Sequence, residues 1–337
     1  MIENKNNFGL LRLLLAILVI ISHSPEIIDG NESREVLTSI FGTVTFGMLA
    51  VDGFFLISGY LILKSFQNSS SIKSYLIKRC LRIYPAFIVA SLICIFIFAP
   101  LSEGGKILLN DEPSLWFNRM LSLLVLKVPV VEGAFSKNYF PELNASMWTI
   151  KYEFICYLIL PLLYFLKLVN KKYFIGMLCL TIFIFLIFNP ATQRTDFVVL
   201  ARFLCAFLVG GCFYLYRDNI EFNIPLTMIS LIGVTVCLFS KFFAEIGIII
   251  FGGYLLFNFA LNYKNKLTNA IGEKTDISYG VYLYAWPVQS LFVQYFPTIE
   301  PYQLTFLTLM IVAPLAFLSF TFVEKPFVDL IKDGFKK

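Results

Sequence analysis

Residues 10–24 read LLRLLLAILVIISHS, an apolar run that carries one arginine, Arg12, and ends around His23, the only histidine in the 337-residue chain. The two lie eleven residues apart. At about 100° per residue, eleven steps of an α-helix make about three turns plus 20°. Both side chains therefore point the same way, roughly 16 Å apart along the axis. A cation and a titratable imidazole on one stripe of a membrane helix are costly to keep, which makes this pair the first candidate for chemistry.

The same composition continues outward. The chain is 58% hydrophobic and only 15% charged, against about 25% charged in an average soluble domain. The apolar residues form continuous blocks of about 20, the length of a helix that crosses a bilayer, and do not alternate as barrel strands would. The expected fold is an all-α polytopic membrane protein, a single membrane domain over 1–337 with no separate soluble domain. About ten transmembrane helices are expected, near 8–24, 40–63, 83–101, 146–166, 173–189, 196–216, 225–240, 242–262, 276–296 and 303–323. The first run reads as a retained span rather than a signal peptide. Arg12 interrupts it, and Pro25-Glu26 stand where a small-residue cleavage site belongs.

Lysine and arginine set the orientation. With both termini in the cytoplasm, seventeen fall in inner segments, among them Lys5, Lys332, Lys336 and Lys337. Seven fall outside, among them Lys106, Arg119 and Arg194, and Arg12, Lys151 and Arg202 lie within spans. That bias follows the positive-inside rule and explains the net charge of +5 without nucleic acid. Residues 72–82, IKSYLIKRCLR, read as a basic amphipathic segment on the cytoplasmic surface. Within 102–145, the longest external segment, SLWFNRMLSLLVLKVPVV at 114–131 reads as an interfacial or re-entrant helix. The seven cysteines contain no C-x-x-C pair, and with one histidine neither a disulfide framework nor a zinc site is expected.

Each candidate residue has a plain reading beside a chemical one. His23 is a general base for a hydroxyl, or a structural histidine bonded to a carbonyl. Arg12 belongs to the same site or snorkels to the interface. Lys78, Arg79 and Arg82 are a phosphate clamp or ordinary positive-inside anchors. Asp52, mid-span, must pair or face a cavity, while Gly53, Ser58 and Gly59 permit close helix packing. Ser146 and Glu153, seven apart, share a helix face, and Tyr157 follows Glu153 by four. Glu153 or Asp52 would orient the imidazole, or Glu153 would bind an acceptor hydroxyl. Lys151 neutralises a carboxylate or reaches the interface. Arg202 is the last embedded cation, and Glu324 reads as locally structural.

Together these motifs resemble the acyltransferase-3 family of integral-membrane acyltransferases. The resemblance runs over nearly the whole chain. It rests on Arg12 and His23, VDGFFLISGYLI at 51–62, RCLRIYP at 79–85, SMWTIKYEFICYLILP at 146–161, SYGVYLYAWPVQ at 278–289 and FVEKPF at 322–327. It implies transfer of an acyl group, usually acetyl, from cytoplasmic acyl-CoA to a hydroxyl of a cell-envelope glycan. It also implies Arg12 and His23 at the catalytic centre, an essential basic motif at Arg79 and Arg82, and a fourth-span pattern at Ser146, Trp148 and Glu153. Many relatives carry a histidine before the Trp-Pro of the ninth span. Here Ala285 stands there, so the first-span histidine is expected to be the one imidazole required. Some relatives add an external hydrolase-like domain, and none is expected here.

The expected site is thus His23, Arg12, Glu153 and Asp52 for catalysis, with Arg79, Arg82 and Lys78 on the donor. Ser146, Trp148, Tyr157 and Arg202 are expected on the acceptor. Acetyl-CoA is the expected cosubstrate, with no resident cofactor or metal. A lipid-linked glycan in the bacterial inner membrane, most simply an O-antigen repeat, is the expected acceptor, ahead of exopolysaccharide, capsule or peptidoglycan. The competing class is a transporter or flippase of lipid-linked glycans, against which the lack of an internal repeat argues.

Overall fold

The computed structural model describes residues 6–102, 112–188 and 195–334, with side chains as far as 331. Of the charges used for orientation, Lys5, Lys106, Arg194, Lys336 and Lys337 lie outside the described residues, as does the side chain of Lys332. The described residues form helices and turns, with no strand among them.

The main helices are α1 (Phe8–Asp29), α2 (Phe46–Gln67), α3 (Ile72–Leu101), α4 (Pro113–Leu124), α5 (Ile150–Phe165) and α6 (Lys171–Phe188). They continue as α7 (Asp196–Leu215), α8 (Ile224–Leu238), α9 (Ala244–Asn262), α10 (Ser278–Tyr295) and α11 (Pro301–Ile331). Every expected span forms a helix, and among the described residues eight are long and apolar enough to cross a membrane. The other two expected spans differ for plain reasons. Helix α8 has only 15 residues, and α10 carries tyrosines, two glutamines and Ser290 among its 18.

Two further expectations are corrected. Residues 72–82 are no separate surface segment, because they continue into the third span as the 30-residue helix α3. The shared face of Ser146 and Glu153 does not follow from helical period. Ala145–Thr149 is a 3-10 turn and the α-helix begins at Ile150, so the two residues belong to helices of different pitch. Of residues 114–131 only those up to Leu124 are helical, as part of α4.

The packing divides the chain into two compact units. The first comprises Met1–Leu15, Leu37–Ile77 and Tyr152–Lys274. Its tightest pair is α2 and α7, which meet backbone to backbone. A Cβ on Gly59 would overlap the Phe207 carbonyl, and one on Gly210 the Leu56 carbonyl. Beside this contact Phe55 stacks on Phe203 at 4.3 Å. Small residues give membrane helices such an approach, because lipid offers no hydrophobic drive for them to associate. Gly59→Ala is therefore expected to lower stability by about 1–3 kcal/mol in a detergent thermal-unfolding measurement. Gly176→Ala, on α6 with nothing within 4 Å of its new Cβ, should be neutral or slightly stabilising.

The second unit comprises Ala16–Val36, Lys78–Lys151 and Thr275–Lys337. Helices α10 and α11 pack through Gly280 on Ala316. At their far end Ile27, Trp286, Val293, Ile299 and Leu304 form a core cluster with Phe140 against it.

Proline inside a helix removes the donor for the carbonyl four residues back, and within a membrane that carbonyl needs another partner. Two such carbonyls are filled by side chains. Pro287 frees the carbonyl of Leu283, which accepts Asn144 Nδ2 at 2.7 Å. Pro161 frees that of Tyr157, which accepts the Tyr75 hydroxyl at 2.9 Å. The second bond belongs to the first unit and the first to the second.

Candidate active site

Helix α1 carries both opening candidates, Arg12 in the part belonging to the first unit and His23 in the part belonging to the second. His23 is half-buried. Its ring meets Trp286 of α10 edge-on, with centroids 5.0 Å apart and planes at 89°. Trp286 is itself fixed, since its indole N–H donates to the Glu142 carbonyl at 3.1 Å. The imidazole Nδ1 is buried and has no hydrogen-bond partner among the described residues.

The turn beneath His23 is held by side chains that the sequence reading passed over. Gln289 Nε2 donates to the Ile20 carbonyl at 3.0 Å and to Ser24 Oγ at 2.9 Å. Ser24 Oγ donates to the Ile20 carbonyl at 2.9 Å and lies 2.7 Å from Thr305 Oγ1. Ser24 and Gln289 are almost wholly inaccessible. Asn144 holds α10 on the other side, and its amide also reaches Cys94 Sγ at 3.6 Å in a π-helical turn of α3.

The carboxylates expected to orient the imidazole, Asp52 and Glu153, belong to the first unit and have hydrogen-bond partners within it. Asp52 accepts Arg202 Nε at 3.0 Å and Nη2 at 2.9 Å, a bidentate buried pair in the first unit. Arg202 also donates to the Met48 carbonyl and lies 3.4 Å from Glu245. Arg202 is thus buried and held within the first unit by two carboxylates and a carbonyl. Glu153 accepts Ser58 Oγ at 2.9 Å and the Tyr157 hydroxyl. The four-residue spacing of Glu153 and Tyr157 is thus realised as a hydrogen bond, and Ser58 donates to the same carboxylate.

The basic motif lies on α3 in the second unit, with Lys78, Arg79 and Arg82 all half-buried. Arg82 Nη2 meets Asp276 at 3.2 Å and Nη1 meets Glu324 at 3.1 Å. Asp276 in turn accepts the Ser278 N–H and hydroxyl at the start of α10. Glu324 closes a π-helical turn, Phe320–Glu324, and such a turn shifts the helical register of the residues after it. Arg82 therefore ties α3, α10 and α11 together, with two negative charges on its one positive. Guanidinium's planar fork suits this double role.

Ser146 is buried, with its hydroxyl unpartnered among the described residues. Trp148, two residues on, is 41% exposed. Tyr282 anchors that 3-10 turn: its hydroxyl donates to the Ser146 carbonyl at 2.6 Å and lies 2.7 Å from Thr149 Oγ1. Ala285 is buried in α10 beside Trp286. Among the described residues no group of three or more His, Cys, Asp or Glu is placed to hold a metal ion.

The site residues that sequence reasoning missed are Gln289, Ser24, Thr305, Asn144 and Asp276. A signal existed for two of them. A proline inside a span implies a side-chain donor such as Asn144, and an amide such as Gln289 within an apolar helix implies a buried partner.

Comparison with known proteins adds to this geometry. The model of an acyltransferase domain family matches residues 5–323. An O-acetyl transferase of Shigella phage Sf6 is 29% identical over 346 aligned residues, 97% of each chain. Nodulation protein 10 of Rhizobium leguminosarum bv. viciae is 31% identical over 48% of this chain and 44% of its own. The acyltransferase MdmB of Streptomyces mycarofaciens is 28% identical over 41% of this chain and 33% of its own. No solved structure matches.

Proposed function

Because this chain belongs to the acyltransferase-3 family and is a multi-pass membrane acyltransferase, we propose that it moves an acetyl group from cytoplasmic acetyl-CoA to a hydroxyl of a cell-envelope polysaccharide. Its acceptor in this reading is an O-antigen repeat on a lipid carrier. The enzyme sits in the bacterial inner membrane with both termini in the cytoplasm.

His23 takes the proton of the acceptor hydroxyl, and the oxygen attacks the thioester carbonyl. The tetrahedral intermediate collapses with cleavage of the C–S bond. The imidazolium returns its proton to the departing CoA sulfur, so no net proton is consumed. Lys78 and Arg79 bind the phosphates of CoA. Arg82 holds the Asp276 and Glu324 carboxylates, and so fixes the helix start beside that basic patch. Arg12, on the histidine's own helix, adds positive charge for the anionic donor. Ser146 and Trp148 belong to the acceptor side.

The observation that carries this reading is His23 itself. It is the only imidazole in a chain similar over 97% of its length to an O-acetyl transferase, and a buried ring nitrogen there lacks a described partner. The test is mass spectrometry of envelope glycans from cells with and without the gene. Loss of one acetyl mass per repeat unit is expected without it. An unchanged glycan would overturn the acceptor assignment.

A further inference from the structure

A catalytic imidazole must be held in one orientation, and side-chain hydrogen bonds from a carboxylate or carbonyl usually do this. His23 has no such bond at Nδ1 among the described residues. Its ring rests on the edge-on contact with Trp286, so its direction depends on the backbone turn that carries it. That turn precedes Pro25, which lacks an N–H and weakens the helix ladder there. The carbonyl of Ile21, four residues before Pro25, thereby loses its helical donor beside this turn.

We propose that Gln289 is the positioning residue for His23. It acts on the backbone beneath the imidazole, where other enzymes act on the ring. The proposal rests on the reading of His23 as the general base.

Hydrogen accounting supports it. The Ile20 carbonyl can only accept, so the amide nitrogen of Gln289 must face it, and the side chain has one allowed flip. Both amide protons are then spent, one on Ile20 and one on Ser24 Oγ. The single Ser24 proton goes to the Ile20 carbonyl. The short contact to Thr305 is thus a bond donated by Thr305 to Ser24. Helices α10 and α11 each contribute one anchor to the residues flanking His23, and Trp286, three residues before Gln289, supplies the ring contact. One face of α10 therefore fixes both the backbone and the ring. A network this buried with all these donors placed specifies one arrangement, and removing the Gln289 amide takes one donor each from the Ile20 carbonyl and Ser24 Oγ and frees this turn from α10.

The chain's single histidine makes the test direct. Protein labelled with 15N only at histidine gives the signals of one imidazole. Wild type, Gln289→Leu and Thr305→Val would be compared in nanodiscs, with acetyl-CoA turnover measured beside them. His23→Ala serves as the separate check of the base reading. Gln289→Leu is expected to shift and broaden the imidazole signals and to lower kcat at least tenfold, with KM for acetyl-CoA within twofold. Thr305→Val, which removes the outer bond alone, should give a smaller change of the same kind. Unchanged imidazole signals in a folded Gln289→Leu protein would overturn the proposal, as would kcat within twofold of wild type. If His23→Ala stays active, the base reading fails, while the imidazole signals still report whether Gln289 orients the ring.

Discussion

His23→Ala is expected to reduce acetyl-CoA turnover by about a hundred- to ten-thousand-fold, the range that a positioned acid–base group contributes. The change should fall on kcat. No second imidazole stands in, because the chain has one histidine and Ala285 occupies the position before Trp286-Pro287. Folding should survive. His23 is half-buried and gives up an edge-on contact with Trp286, a contact of a kind worth about 0.5–1.5 kcal/mol. Membrane abundance and unfolding temperature of the variant, measured beside turnover, separate the two effects. Turnover within a few-fold of wild type, at normal abundance, would remove His23 from the chemistry.

Arg202→Ala should produce the largest loss of stability. Asp52 is wholly buried and Glu245 is 4% exposed, and the substitution takes the guanidinium from both. Breaking a buried pair by deleting one partner costs about 3–5 kcal/mol, because the remaining charge stays uncompensated. The readouts are yield in the membrane and the thermal-unfolding midpoint in detergent. Asp52→Asn keeps an acceptor for Arg202 and should cost less. An Arg202→Ala protein with a wild-type midpoint and a raised KM for the glycan would return Arg202 to the acceptor site.

The contrast between the two arginine clusters shows where sequence reasoning stops. Arg202 and Asp52 are 150 positions apart, and each alone reads as a costly membrane charge that signals function. Their pairing comes from α2 and α7 closing on Gly59 and Gly210, a contact that periodicity does not encode. Arg82 reads as a phosphate ligand because it sits in a basic run. Its partners Asp276 and Glu324 come from loop and helix residues 194 and 242 positions away. Glu153 and Tyr157 were legible together because a four-residue spacing is a local property of one helix. Ser146 and Glu153 were not, because the helix changes pitch between them.

The sequence by itself determined the all-helical membrane class, the positions of the apolar helices, the family and the singularity of His23. Those are properties of composition, local period and motif order, which need no knowledge of which helix packs on which. Only the tertiary structure decided how charge and hydrogen bonds are shared. It gave Asp52 to Arg202 and Glu153 to Ser58 and Tyr157, and it placed Gln289, Ser24 and Thr305 around the turn beneath His23. The physical reason is burial. In an apolar interior each polar atom must find whichever partner the folded helices bring within about 3 Å, at any distance along the chain.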